Sequence, residues 1–293
     1  MKYYEVKFNI AAPEELMDDV RDVLMALVGE AGFESFEETA EGLTGYVQQG
    51  AFSQPLLDEQ LTMMPFEGVI INYKVGEAED KDWNEQWETE GFEPIVVNQR
   101  CIVHDGRHLD GIQLQDFDIS VEIDAKLAFG TGTHATTQMM LATLLEQPLQ
   151  GKRVLDCGCG TGILGIVALK AGADSCTGYD IDEWSTENTR HNAVINHVIE
   201  RLEIYLGDAS VLKSVEGLFD VVLANINRNI LLNDMEAFRQ MMAPGALLLL
   251  SGFYVADVAL LVEKASTLGL SVVGQRTLDD WACLALAGSG SCG

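Results

Sequence analysis

The pattern of apolar and polar positions changes character about a quarter of the way along the chain. The segment "YYEVKFNI" reads as a strand. It is followed by "PEELMDDVRDVLMALVGEAG", where apolar residues recur with helical period and Pro stands near the start and Gly at the end. "FESFEETAEG" and "LTGYVQQG" read as two short strands around a Glu-Gly turn, "SQPLLDEQLTMM" as a second helix and "GVIINYKVGEA" as a closing strand. The order β-α-β-β-α-β over residues 1–75 predicts a small α+β domain of the ferredoxin-like kind.

From residue 94 to 287 strand-like runs alternate with helical ones. "RVLDCG" leads into "GILGIVALKAGA", "SCTGYDID" into "STENTRHNAVINH", "FDVVLANI" into "NRNILLNDMEAFRQMM", and "ALLLLSGF" into "VADVALLVEKASTLG". This alternation predicts an α/β domain with a parallel sheet covered by helices on both faces. Between the two domains, residues 76–93 are strongly acidic and place Trp83 and Trp87 four apart, so a connecting helix with both rings on one face is expected. The tail "GSGSCG", residues 288–293, holds nothing that forms a core and is expected to be disordered.

Composition narrows the class. With 293 residues, 47% of them hydrophobic, the chain can bury a sizeable core. "MKYYEVKFNI" lacks the basic and apolar regions of a secretory signal, and "ALLLL" is too short to cross a bilayer. Six cysteines spread along the chain do not form a disulfide framework, so a cytoplasmic location is expected. The formal net charge of −28 repels nucleic-acid phosphates and favours encounter with a cationic partner.

The chemistry concentrates in "VLDCGCGTG", residues 154–162. Cys157 and Cys159 have no second Cys or His pair at usable spacing for zinc, and Gly106 interrupts the stretch between His104 and His108. A Walker loop needs Gly-Lys-Ser/Thr, whereas Ile163 and Leu164 follow Gly162. There remains Gly158-Cys159-Gly160-Thr161-Gly162 between a buried strand and a helix, a turn that lets a ligand approach the backbone closely. The next strand ends in Asp180 and Asp182, about twenty residues on, where an acid accepts the ribose hydroxyls of an adenosine ligand. The two cysteines are then packing groups.

The G-x-G-x-G spacing preceded by Asp156, with the later strand "DVVLANI", resembles S-adenosylmethionine-dependent methyltransferases. Together with "LAFGTGTHATTQMML" (residues 127–141), "LDCGCGTGILGIVALKAGA", "GYDID" and "LANI", the chain looks like a member of the PrmA family, bacterial methyltransferases of large-subunit ribosomal protein eleven. Two departures stand out: Ala135 replaces an expected proline, and "NINR" replaces the Asn-Pro-Pro-aromatic box of many amine methyltransferases.

The resemblance implies a Rossmann-like class I catalytic domain with a mostly parallel, seven-stranded sheet, and a substrate-recognition role for the ferredoxin-like domain. It implies S-adenosylmethionine as methyl donor, S-adenosylhomocysteine as product, and the N-terminal α-amine and lysine ε-amines of the ribosomal protein as acceptors. The substrate is expected to meet a monomeric enzyme before ribosome assembly, with no direct nucleic-acid or membrane contact. Gly158, Gly160, Asp180, Thr137 and Asn225 are the expected cofactor contacts, and Asn225 is also the expected catalytic residue, orienting the amine through its side-chain carbonyl. Thr136 or Thr137 is expected near the start of a helix. His134 reads as a structural loop residue rather than a general base, and no role follows for Arg228. The rival readings are an RNA methyltransferase, against which the acidic surplus argues, a small-molecule methyltransferase, and a non-catalytic adaptor.

Overall fold

The computed structural model describes residues 3–13, 16–33, 35–39, 42–50, 52–66, 68–77, 91–124 and 132–288. The chain divides into two compact units, Met1–Trp83 and Asn84–Gly293.

In the first unit, β1 (Tyr3–Ala11), α1 (Met17–Glu30), β2 (Ser35–Thr39), β3 (Gly42–Gln48), α2 (Gln54–Leu61) and β4 (Ile70–Glu77) follow the expected order. The strands form one antiparallel sheet in the order β2-β3-β1-β4, the ferredoxin-like arrangement. Alternate residues of β1, namely Val6, Phe8 and Ile10, are buried together with Val20, Leu24 and Val28 of α1 and Leu57 of α2. A two-residue strand repeat thereby meets a four-residue helix repeat in one core.

The second unit opens with a three-stranded sheet of β5 (Ile95–Val97), β6 (Cys101–His104) and β7 (Ile119–Glu122). Then come α3 (Ala135–Leu144), β8 (Arg153–Cys157), α4 (Ile163–Lys170), β9 (Ser175–Asp180), α5 (Glu183–Ile195) and β10 (Leu202–Leu206). They are followed by β11 (Phe219–Asn225), α6 (Arg228–Met241), β12 (Met242–Tyr254), α7 (Val258–Thr267), β13 (Leu270–Leu278) and β14 (Trp281–Gly288). Seven strands make the main sheet in the order β10-β9-β8-β11-β12-β14-β13. The first five run parallel, and β14 is antiparallel to both neighbours.

Neighbouring residues of the central strands serve opposite faces of this sheet. Val154, Leu223 and Leu249 pack with Met140 and Leu144 of α3 and Ile166 of α4. Leu155, Val222 and Leu248 pack with Leu231, Met235 and Phe238 of α6 and Leu261 of α7. Burial on both faces is why these strands read as unbroken apolar runs. The order of connection reverses between β8 and β11, and in such sheets the crevice beyond the strands' carboxyl ends at that point is where ligands bind.

Several details differ from the sequence-based expectation. The pattern of apolar runs does not mark out the small β5–β7 sheet, the edge strand β10 or the β13–β14 hairpin, although the seven strands that the resemblance implies include β10, β13 and β14. Gly288, expected in the tail, pairs with Leu270, because a strand end needs only backbone groups; residues 289–293 lie outside the described residues. Gly76 and Glu77, expected in the connecting segment, pair with Glu5 and Tyr4 and complete β4. At its other end Phe92 is buried in the core of the second unit, while residues 78–90, with Trp83 and Trp87, lie outside the described residues. No helix among the described residues is long and apolar enough to cross a membrane.

One glycine fixes how β11 exits the sheet. Gly252 in β12 has φ +93°, and a Cβ there would lie 2.4 Å from the Ile226 carbonyl oxygen. Gly245 has φ +78° with nothing within 4 Å. Gly245→Ala should therefore cost only the left-handed backbone penalty, about 1–3 kcal/mol. Gly252→Ala must in addition displace the backbone beside Asn225. Chemical denaturation of both variants should show the larger loss for Gly252→Ala; equal losses would mean that the Ile226 contact is unimportant.

Candidate functional site

Beyond β8 the chain enters a turn suspended from β9. The Gly158 and Cys159 N–H groups both donate to the Tyr179 carbonyl, at 2.9 and 3.0 Å. Gly158, Gly160 and Gly162 all lie in the left-handed region, with φ of 72°, 54° and 80°. Space is as restrictive as conformation, since a Cβ on Gly158 would meet Ile226 Cγ2 at 2.4 Å and one on Gly162 would meet Thr189 Cγ2 at 2.7 Å. The Thr189 hydroxyl donates to the Gly160 carbonyl at 2.7 Å, so α5 braces the turn from the side.

The two acids at the end of β9 have different roles. Asp180, half-buried, accepts from Gly160 N–H through Oδ2 at 2.9 Å and from Asp182 N–H through Oδ1 at 3.1 Å. A carboxylate has about four acceptor sites, so both oxygens retain capacity for hydroxyl donors. Asp182 caps α5, its Oδ2 accepting from the Ser185 N–H and hydroxyl, each at 3.0 Å. Between them Ile181 is 72% exposed, an apolar surface beside a fixed carboxylate. A rigid diol acceptor, a neighbouring apolar surface and a glycine turn suit the ribose, the base and the close backbone approach of an adenosine ligand.

Asp156, Cys157 and Cys159 lie beneath the turn. Asp156 is buried and accepts from the Gly165 N–H in the first turn of α4 at 3.0 Å. Burial pushes its carboxyl up to about 7; the Gly165 bond opposes this and the charge of Asp180 adds to it. Burial likewise pushes both thiols upward, so they remain protonated packing groups.

Across the crevice, β11 ends at Asn225, whose Nδ2 donates to the Thr137 hydroxyl at 3.2 Å. That bond joins two residues 88 positions apart and fixes the carboxamide plane, with Oδ1 on the opposite prong. Ile226 follows directly and packs on Gly158, which places the Asn225 strand end beside the glycine turn. The cap of α3 is His134 rather than a threonine: its Nδ1 accepts from Thr136 N–H at 3.3 Å and faces the Thr136 hydroxyl at 2.8 Å. Thr136 and Thr137 occupy the first turn and are buried. Residues 127–131 of the Thr-rich stretch lie outside the described residues.

The His134 ring meets Trp281 edge-on at 4.7 Å, and Trp281 stacks on Tyr254 at 4.3 Å. Arg228 binds Asp257 at 2.7 Å and holds its carboxyl below the ordinary range. Asp257 in turn accepts from the Tyr254 N–H at 3.2 Å. Sequence reading missed the aromatic row, because Trp281 and Tyr254 meet only through β-pairing. It also missed three buried asparagines of α5 and its C-cap, Asn188, Asn192 and Asn196, although their spacing of four is visible in "ENTRHNAVINH".

A mostly parallel seven-stranded sheet with its last strand reversed, and a left-handed glycine turn clamped by an acid at the end of the next strand, define a class I S-adenosylmethionine-dependent methyltransferase. The family model described as "Ribosomal protein L11 methyltransferase (PrmA)" matches residues 22–288. A ribosomal protein L11 methyltransferase of Bacteroides fragilis is 44% identical over 284 residues, covering 97% of this chain and 99% of the relative. The Porphyromonas gingivalis protein of the same name is 41% identical, covering 97% of each chain. A solved structure of a ribosomal protein L11 methylase from Lactobacillus delbrueckii subsp. bulgaricus shares the fold, with TM-score 0.59 and 24% identity over 67% of this chain and 98% of that one. The chain belongs to the ribosomal protein L11 methyltransferase family and is an S-adenosylmethionine-dependent methyltransferase.

The buried Asp156 yields a pH signature. An unfolded aspartate ionises near 4, whereas the folded one stays protonated up to about 7. Between those values the native state binds the extra proton, so stability falls as pH rises, with a slope approaching about 1.4 kcal/mol per pH unit, and levels off above. Asp156→Asn keeps an acceptor for Gly165 and should remove that slope, as read from urea midpoints between pH 4 and 8. A variant with the wild-type slope would assign the proton elsewhere.

Proposed function

We propose that the enzyme methylates amines of ribosomal protein L11, the N-terminal α-amine and lysine ε-amines, and that Asn225 orients the acceptor. The observation that carries this reading is the Thr137–Asn225 hydrogen bond at the carboxyl end of β11, beside the glycine turn. Bound S-adenosylmethionine supplies a methyl group on a positively charged sulfur, an electrophile for an amine lone pair. Asp180 holds the ribose, Gly158 and Gly160 give the backbone approach, and Ile181 faces the base. Thr137 lies at the rim of the methyl-donor pocket and fixes the Asn225 carboxamide, whose Oδ1 accepts one amine N–H and so points the lone pair. Alignment of this kind is worth roughly 7–11 kcal/mol in favourable cases.

The amine must be neutral to react. Holding a lysine with pKa about 10.4 as free amine at pH 7 costs roughly 4–5 kcal/mol, against about 1 kcal/mol for an α-amine. His134 caps α3, and water can take the proton without a dedicated base. The first unit, which contains none of these residues, is proposed to hold the folded substrate while its amines reach the second. The finding in favour is that relatives covering nearly the whole chain bear the name of the L11 enzyme.

Incubation with labelled S-adenosylmethionine and either purified L11 or ribosomal RNA tests the reading. Label should enter L11, and residues 84–293 alone should bind cofactor but transfer poorly to intact L11. Label in RNA instead would support an RNA methyltransferase, and equal transfer by the shortened chain would remove the recognition role of the first unit.

Point variants divide binding from turnover. Asp180→Ala should weaken S-adenosylmethionine binding at least tenfold in calorimetry, since a hydrogen bond to a charged group contributes about 1.5–3 kcal/mol. Asn225→Ala should leave affinity within a few-fold and lower kcat instead. The opposite pattern in the two variants would exchange the assignments.

A further inference from the structure

The free edge of β7 and the segment beyond it are held by side chains of α5 and its C-cap rather than by another strand. Asn196 accepts from Glu122 N–H at 3.0 Å and donates to the Glu122 carbonyl at 2.6 Å. Two residues on, Asp124 N–H donates to Asn192 Oδ1 at 3.0 Å, and the Asp124 carbonyl accepts from Asn188 at 2.8 Å. Four helical residues rise about 6.0 Å and two extended residues about 6.6 Å, so Asn196 and Asn192 meet residues 122 and 124, and Asn188 adds a second bond to Asp124. Each carboxamide offers one donor prong and one acceptor prong, as a strand edge does. The ladder thus satisfies backbone groups that an unpaired edge would leave open.

Asn192 differs from the other rungs. Completely buried, it also donates to the Thr161 carbonyl inside the glycine turn at 2.9 Å, and to Asn188 Oδ1 at 3.2 Å. One carboxamide therefore ties the turn between Gly160 and Gly162 to the segment at Asp124. Thr189, about one helical turn before Asn192 on the same side of α5, holds the adjacent Gly160 carbonyl. The N–H of the same peptide, that of Gly162, donates to the Cys159 carbonyl at 2.8 Å, so both ends of the Thr161–Gly162 peptide are fixed.

We propose that Asn192 is a positioning residue for the methyl donor: by holding the Thr161 carbonyl against α5, it sets the orientation of the turn that binds S-adenosylmethionine. This rests on the assignment of the glycine turn as the cofactor site. The residue touches no reacting atom and acts through the turn, so its loss raises the cofactor Kd and KM and spares turnover at saturation. Asn196 is the internal control, a rung of the same ladder, also buried, whose side chain bonds the Glu122 backbone and the Asn192 carbonyl.

The test uses the full chain with Asn192→Leu and Asn196→Leu, near-isosteric changes that remove the carboxamide. Calorimetric Kd for S-adenosylmethionine, kcat and KM, and Tm are measured for each, with Asp180→Ala alongside. Asn192→Leu should raise Kd and KM for S-adenosylmethionine at least fivefold with kcat within twofold, while Asn196→Leu lowers Tm but leaves Kd within twofold. Unchanged Kd in Asn192→Leu, with Asp180→Ala weakened, would overturn the positioning role and leave a structural rung. Unchanged Kd in both Asn192→Leu and Asp180→Ala would instead overturn the location of the cofactor site, and the proposal with it. Should Asn192→Leu fail to fold, Asn192→Ser carries the same expectation.

Discussion

The bond from Gly160 N–H to the Asp180 carboxylate is the interaction on which the rest of the catalytic unit is organised. It closes a loop between adjacent parallel strands whose register, Cys157 opposite Tyr179, already brings their carboxyl ends together. A left-handed turn cannot satisfy its amides within a helix or strand, so β9 accepts them through the Tyr179 carbonyl and the Asp180 side chain. With the turn fixed, the lack of a side chain at Gly158 admits Ile226, and the lack of one at Gly252 admits the Ile226 backbone. Asn225 precedes that residue and inherits its position. One acid at the end of β9 is therefore linked through a short chain of contacts to the carboxamide on the far side of the crevice.

Legibility in the sequence followed how narrowly physics restricts each residue type. The glycine turn could be read because positive φ and close approach leave few alternatives to glycine at positions 158 and 162. Central strands could be read because both faces are buried. The edge strand β10 could not: "LEIYL" has no fully buried residue, breaks alternation at Ile204 and Tyr205, and carries a glutamate. Nor could the β13–β14 hairpin, where β13 is mostly exposed and strand identity comes from pairing with β14 rather than from its own pattern. His134 was placed in the loop correctly but not as the cap of α3, because caps are ordinarily Ser, Thr, Asp or Asn and two threonines stood next to it. Between Asp180 and Asp182 the sequence offered chemistry of one kind; only the backbone geometry separates a carboxylate clamped at the turn from one capping a helix.

Charge and chemistry make opposite demands on this enzyme. A net charge of −28 favours encounter with a cationic substrate, yet a negative potential stabilises the ammonium form and works against the neutral amine that the proposed reaction requires. Distance resolves the conflict. Salt screens solvent-exposed charges over about 8 Å, so the surface field acts on approach, whereas inside the crevice the groups nearest the amine decide its protonation. Beside Asn225 those groups are the Thr137 hydroxyl and, farther along the same sheet edge, the rings of Trp281 and Tyr254. A carboxamide, a hydroxyl and aromatic faces add no formal charge that would stabilise the ammonium. On the proposed assignment, the acidic surface attracts the cation outside, while the neutral groups beside Asn225 add no charge that would hold it protonated.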